Sequence, residues 1–258
     1  MKPDLHRKRF SQISLSSSCK SIILGSILGD GSLKIYPKYK NARFWIRHSL
    51  IQKEYMCWKI NQLDEISSAS SMQLQDPTGY SQNKKLLYQS KACKELSLIH
   101  ELVYSDNHLK IKRSWLNHLT PLSLAIWWLD DGSIIGNGKR GVLCTDPFSQ
   151  YEHKLLKRYL EVAWGITAQI GTLNRVYKGK QKQVYRLYLN NESLKCFLRL
   201  IMGYAPVESM IYKYCLLYKD PKLQERWISE MIAVFPEWEI QIREIIKVRK
   251  TRLKYFRK

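Results

Sequence analysis

Two places in the chain close an apolar run with the triplet Asp-Gly-Ser, and both aspartates are candidates for phosphoryl chemistry. Asp30-Gly31-Ser32 follows the run that begins at Ser18, and Asp131-Gly132-Ser133 follows the run that begins at Thr120. If each run is a helix, each aspartate stands where unpaired carbonyls and a partial negative charge collect. A carboxylate is unfavourable there unless a cation compensates it, and carboxylate and carbonyl oxygens gathered together suit a hard divalent cation. Gly25 and Gly29 share one helix face, which lets a second backbone approach closely. Two such helices running together would bring Asp30 and Asp131 side by side. Metal held there at a scissile phosphate would lower the pKa of an attacking water and neutralise charge on the phosphorus oxygens. Gly31 and Gly132 are expected to take the left-handed conformation that ends many helices.

The composition points to the class of partner. The 258 residues include 43 Lys and Arg against 22 Asp and Glu, a net charge of +21 with 45% hydrophobic residues. A folded chain of this charge calls for a polyanion, either nucleic acid or an anionic membrane surface. The apolar runs Ile22–Leu28 and Leu122–Leu129 are far too short to span a bilayer, so no membrane partner is expected. The N-terminus, MKPDLHRKRFSQ, lacks the long apolar segment of a secretory signal, and no targeting segment is expected. The six cysteines (Cys19, Cys57, Cys93, Cys144, Cys196 and Cys215) form no CxxC pair and fit no zinc spacing with the scattered histidines. They are read as buried, reduced thiols.

The elements that must position the aspartates form a repeat. The first copy reads as a helix over 18–29, strand character at 43–47, an amphipathic helix over 52–66, a hairpin over 72–90 with a Pro77-Thr78-Gly79 turn, and a helix over 92–104. The second reads as a helix over 120–129, a strand pair around the turn Gly136-Asn137-Gly138, a helix over 150–164, strands at 169–177 and 184–189, and a helix over 192–202. Each copy is therefore αββαββα. The boundaries read as a basic arm over 1–17, a first half over 18–113, a second half over 114–220 and a basic tail over 221–258. That tail is helical in pattern up to Ile246 and ends in KVRKTRLKYFRK, with seven Lys or Arg in twelve residues. Such an end is either a solvated, frayed segment or a phosphate contact.

These residues resemble the LAGLIDADG homing endonucleases, of the two-motif, single-chain type found in organellar introns. Ile23-Leu24-Gly25-Ser26-Ile27-Leu28-Gly29-Asp30-Gly31 fits the nine-residue motif. Leu124-Ala125-Ile126-Trp127-Trp128-Leu129-Asp130-Asp131-Gly132 fits the variant that ends in Trp-x-Asp-Asp-Gly. The leader Leu119–Leu124 and the segment Pro206–Tyr214 also fit. The resemblance implies an α+β fold of two pseudo-symmetric αββαββα halves, with paired motif helices at the interface and two antiparallel sheets forming a DNA-binding saddle. It implies Mg²⁺-dependent double-strand cleavage of a long asymmetric target (intron homing), with Mn²⁺ or Ca²⁺ able to occupy the site. Asp30 and Asp131 are the implied catalytic carboxylates and metal ligands, with the carbonyls of Gly29 and Asp130 expected to add oxygens. Asp130 falls where the first motif has Gly29, so its side chain is not expected to be the main ligand. Lys110, with Lys112 close behind, and Lys213 match the basic residues of the active site, where a lysine would orient water or stabilise the transition state. Ile126 stands where the motif has its first small residue, which implies asymmetric helix packing.

Alternating strand faces select the side chains that could enter a groove. In the first half these are Ser32, Lys34, Tyr36, Lys38, Arg43 and Arg47, with Trp45 on the same alternation. In the second they are Lys139, Arg140, Arg175, Lys178, Lys180, Lys182, Arg186 and Tyr188. Arginine and lysine read guanine edges or hold phosphates. Trp45 and Trp58 are read as core. The expected partner is double-stranded DNA, bound by a monomer made inside a chloroplast or mitochondrion. The competing functions are an intron RNA-binding maturase that assists group I splicing, and a catalytically silent DNA-binding protein.

Overall fold

The structure, a computed structural model, describes residues 10–77, 83–177 and 179–256. The turn residues Thr78 and Gly79, the candidate Lys178, and residues 1–9 of the N-terminal arm lie outside the described residues. The chain divides into two compact units, Met1–Asp130 and Asp131–Lys258, built on one plan. The first contains α1 (Ser17–Leu28), β1 (Gly31–Lys34), β2 (Arg43–Ser49), α2 (Lys53–Gln62), β3 (Met72–Gln75), β4 (Lys85–Gln89) and α3 (Lys94–Val103). A small hairpin follows, β5 (Tyr104–Ser105) and β6 (His108–Leu109), then the short α4 (Arg113–Leu116) and α5 (Pro121–Asp131), whose last residue opens the second unit. That unit contains β7 (Gly132–Ile135), β8 (Arg140–Leu143), α6 (Gln150–Trp164), β9 (Gln169–Tyr177), β10 (Lys180–Leu189), α7 (Asn191–Ile201), α8 (Pro221–Val234) and α9 (Glu239–Arg252). Each unit holds a four-stranded antiparallel sheet in equivalent order, β1-β2-β4-β3 and β7-β8-β10-β9. The fold is α+β, as the repeat predicts.

Local chemistry starts and stops these elements where the sequence signals it. Ser16 caps α1 by accepting from the Cys19 amide. Ser149 and Glu152 form a reciprocal capping box on α6, which ends at Gly165 in the left-handed region at φ 67°. Asn190 caps α7, and Asp220 caps α8 ahead of Pro221. Gly136, Asn137 and Gly138 all have positive φ, as the β7–β8 turn requires. The helix α1 is buried on all sides from Ser21 to Leu28, so it carries no polar face and serves as core.

Several expectations are corrected. Gly31 and Gly132 do not take the left-handed conformation; they are the first residues of β1 and β7. Gly31 is required for space instead, since a Cβ there would lie 2.8 Å from the Ser26 Cβ and 2.9 Å from its backbone. The helix of the basic tail does not finish at Ile246: α9 continues to Arg252. Arg249 donates to the carbonyls of Tyr212 and Cys215, both at 2.9 Å. The helix expected over 52–66 is a shorter α-helix flanked by 3₁₀ turns at Leu50–Gln52 and Asp64–Ile66. Among the described residues, no helix is long and apolar enough to cross a membrane.

The cysteines are only in part the buried thiols expected. Cys19 and Cys215 are buried, Cys57, Cys93 and Cys144 are half-buried, and Cys196 is exposed. Burial pushes the Cys19 and Cys215 thiols up to about 12, so neither forms the reactive thiolate near neutral pH. At pH 8 a thiol reagent is expected to label Cys196 in the folded protein, and to reach Cys19 and Cys215 only on unfolding. Peptide mapping of the labelled chain checks this, and rapid native labelling of Cys215 would contradict it.

Candidate active site and nucleic-acid face

In the first unit, α1 meets the residues of α5 through its glycines. A Cβ on Gly25 would overlap the Ser123 carbonyl oxygen and come within 2.8 Å of the Ile126 Cβ; one on Gly29 would lie 2.5 Å from the Asp130 Cβ. Thr120 donates from its hydroxyl to Ser21 at 2.9 Å in the same contact. The asymmetry expected from Ile126 is therefore visible, because the space is made by Gly25 on α1.

Behind this contact lies a buried polar cluster that sequence reasoning missed. The side chains of Asp130 and Lys59 are both fully buried, with the Lys59 ammonium 2.6 Å and 2.9 Å from the two Asp130 carboxylate oxygens. The Tyr55 hydroxyl donates to the same carboxylate at 2.8 Å. Lys59 also reaches the Ser26 hydroxyl at 3.1 Å and His48 Nε2 at 3.2 Å. An ammonium has only protons to give, so Nε2 accepts and the imidazole proton resides on Nδ1. That Nδ1 is buried, makes no hydrogen bond of good geometry, and lies 3.4 Å from Asp30 Oδ2. The Asp30 side chain is 40% exposed. Asp30, His48 and Asp130 each bring a ligand-type atom within 4.8 Å of the others. Their states differ: Asp130 is committed to Lys59 and Tyr55, His48 presents a protonated nitrogen, and the carboxylate turned toward solvent is Asp30. A hard divalent cation fits that arrangement through Asp30, with the other two holding it in place. The available signal was Lys59 itself, a charged residue on the α2 face shared by the buried Tyr55 and Met56.

In the second unit the Asp131 carbonyl accepts from the Cys144 amide at 3.1 Å. Lys213 is buried, and its ammonium donates to the Gly132 carbonyl at 3.0 Å, which places it one residue from Asp131. The first-half candidates are less enclosed. Lys110 is exposed and held by its backbone, whose carbonyl accepts from the Trp115 indole, while Lys112 donates to the Ser105 hydroxyl at 2.6 Å. They follow a turn in which Asp106 and Asn107 both have positive φ.

The strand registers sort the remaining candidates. Ser32 pairs with Trp45 and Lys34 with Arg43, so these residues and Arg47 share one sheet face. The opposite face carries the buried Leu33, Phe44, Ile46 and His48. Tyr36 and Lys38 lie in the exposed segment after β1. Trp45 is thus not core: it is half-buried on the basic face, with the Lys34 ammonium 5.2 Å from its ring. Trp58 is half-buried too, stacked on Tyr55. In β10, Lys180, Lys182, Arg186 and Tyr188 fall on one face, with Arg175 opposite Lys182. The other face is covered by α6, whose His153 ring lies 5.6 Å from that of Tyr185. Arg140 opens β8, and Lys139 before it lies over the rings of Tyr218 and Tyr255. Arg186 grips Asp146 through Nε at 2.6 Å and Nη2 at 3.1 Å, and Arg175 Nη1 joins at 2.9 Å. The Arg186 hydrogen bonds hold the Asp146 carboxyl below the usual carboxylate range.

A sequence model of the LAGLIDADG DNA endonuclease family matches residues 20–197. Among curated proteins, the chain is 27% identical over 213 residues to a protein RecA of Mycolicibacterium flavescens, covering 77% of this chain and 47% of that protein. It is 25% identical over 209 residues to the cytochrome b mRNA maturase bI2 of Saccharomyces cerevisiae, covering 77% and 48%. To the DNA endonuclease I-ChuI of Chlamydomonas applanata it is 23% identical over 215 residues, covering 78% and 96%. The chain thus spans about half the length of the first two. Among solved structures, the homing endonuclease I-WcaI bound to its DNA recognition sequence superposes with a TM-score of 0.66 at 23% identity, covering 82% of this chain and 92% of that one. At that identity the likeness is one of fold.

Proposed function

We propose, since this chain belongs to the LAGLIDADG DNA endonuclease family, that it is a homing endonuclease cleaving both strands of a long asymmetric DNA target by metal-dependent phosphodiester hydrolysis. It acts as a monomer, in the chloroplast or mitochondrion where it is made. The observation that carries this reading is the contrast at the end of α1: Asp130 is buried and neutralised by Lys59, whereas the Asp30 carboxylate is left 40% exposed. Such a helix end favours a cation. The carboxylates of Asp30 and Asp131, with the carbonyls of Gly29 and Asp130, would hold Mg²⁺, for which Mn²⁺ or Ca²⁺ can stand in. Bound there, a divalent ion supplies a lowered water pKa and neutralises charge on the phosphate oxygens.

The chain's own groups do the rest. His48 steadies the Asp30 carboxylate from behind. Lys213, fixed by the Gly132 carbonyl, and Lys110, on the exposed turn, supply positive charge where it develops at the phosphate. The basic sheet faces grip DNA through Ser32, Lys34, Arg43 and Arg47 in one unit, and through Arg175, Lys180, Lys182 and Tyr188 in the other, with Arg186 held against Asp146 among them; Tyr36, Lys38, Lys139 and Arg140 extend them. The similarity to a maturase supports a second reading, an intron RNA-binding splicing cofactor. The retained carboxylates favour the nuclease, because binding RNA requires neither.

The deciding experiment offers a duplex spanning the intron-free junction of the host gene, first with Mg²⁺ and then with EDTA. Double-strand cleavage that EDTA abolishes is expected. No cleavage of that junction, alongside tight binding of the intron RNA, would replace the nuclease with the maturase.

A further inference from the structure

We infer that Asp146 is a specificity-determining positioning residue, which braces Arg175 against Arg186 so that Arg175 reads a guanine edge rather than gripping a phosphate. The inference rests on the proposal that this sheet face binds duplex DNA. On that face the Asp146 carboxylate contacts two of the basic side chains, Arg186 and Arg175. Arg186 is bound to it bidentately, with Nε at 2.6 Å and Nη2 at 3.1 Å, and is mostly buried, with 16% of its side chain exposed. Arg175 reaches the same carboxylate with Nη1 at 2.9 Å and is 54% exposed. A guanidinium that is more than half exposed can still offer the planar fork that matches guanine O6 and N7. Opposite Arg186 in the register stands Gly171, whose missing side chain leaves room for the Tyr188 ring beside Arg186 on that face.

Two physical consequences separate this arrangement from a simple basic patch. A lone arginine loses side-chain entropy when it docks, whereas one already fixed to a carboxylate has been ordered in advance. The negative charge of Asp146 also repels a phosphate brought to the same place, while a base edge carries no net charge. Lys182, opposite Arg175 in the register and exposed, has no bond to Asp146 and is suited to the phosphate role.

The test uses the full chain and a randomised duplex pool, enriched by binding in Ca²⁺ and sequenced, for the wild type, Asp146→Asn and Arg175→Lys. The wild type should enrich a guanine at one position read by the second unit. Asp146→Asn should weaken that preference about tenfold at that position alone, while raising affinity for unselected duplex severalfold through the removed negative charge. Arg175→Lys, an exposed change that leaves the fold intact, should lose the same preference without the gain in unselected binding. An unchanged guanine preference in Asp146→Asn, or an even loss at every position, would overturn the inference. Failure of the wild type to enrich any sequence would instead remove the DNA-binding proposal beneath it, and this inference with it.

Discussion

Asp30→Asn and Asp131→Asn are each expected to abolish double-strand cleavage while leaving DNA affinity within a few-fold of wild type. Amide for carboxylate preserves size and removes the charge that would bind a cation. Loss of an outer partner of a metal typically costs ten- to a hundredfold, so loss of a direct ligand should cost on the order of a thousandfold or more in cleavage rate. In the proposed binding mode affinity comes mainly from the many basic residues of the sheet faces, which neither change touches. The stability readout is a separate check at Asp30. A carboxylate at a helix C-terminus opposes the local dipole, so Asp30→Asn should leave stability unchanged or raise it by about 0.3–1 kcal/mol in the absence of metal. Dead cleavage, intact binding and an unchanged or higher melting temperature together identify a residue kept for chemistry. Cutting by Asp131→Asn at the wild-type rate would show that the second site has been misassigned.

The parts of this site that were legible in the sequence are those fixed by short-range rules. The helix over 17–28 and the turn at Gly136-Asn137-Gly138 each follow from residues within a few positions of one another. The alternation along β2 and β10 likewise placed Arg43, Arg47, Lys182 and Arg186 on shared faces. What escaped depended on distant partners. Asp130 could be placed at the position of Gly29, but nothing in the sequence pairs it with Lys59, 71 positions away. Trp45 follows the same alternation as Arg43 and Arg47. Its aromatic bulk suggested core, yet a tryptophan with one face covered by a lysine suits an exposed sheet equally well. Gly31 was correctly singled out for the wrong physical reason: its lack of a Cβ answers the nearness of Ser26, whereas a left-handed φ would have been a property of the helix end.

Lys59→Met is expected to be the most destabilising single change among those considered. It leaves the Asp130 carboxylate fully buried, with Tyr55 at 2.8 Å but without the Lys59 ammonium. Breaking one side of a buried ion pair costs about 3–5 kcal/mol, which is a large part of the roughly 5–15 kcal/mol that holds a typical domain together. Asp130→Asn alone should cost less, since Lys59 keeps Ser26 and His48 as partners for its protons. The double variant Lys59→Met/Asp130→Asn removes both charges and should recover most of the loss, because a neutral replacement of a buried pair is often nearly neutral in stability. Urea unfolding of the four proteins gives the coupling directly. Lys59→Met within about 1 kcal/mol of wild type would mean the pair is not buried as described. Cleavage by the double variant carries the functional half of the argument. Without Lys59, His48 Nε2 loses its donor and the imidazole proton is no longer confined to Nδ1, the atom that faces Asp30. Stability should therefore return while cleavage stays about ten- to a hundredfold down, the usual effect of losing a residue that orients a metal ligand. Full activity in a restored fold would leave the cluster a structural role only.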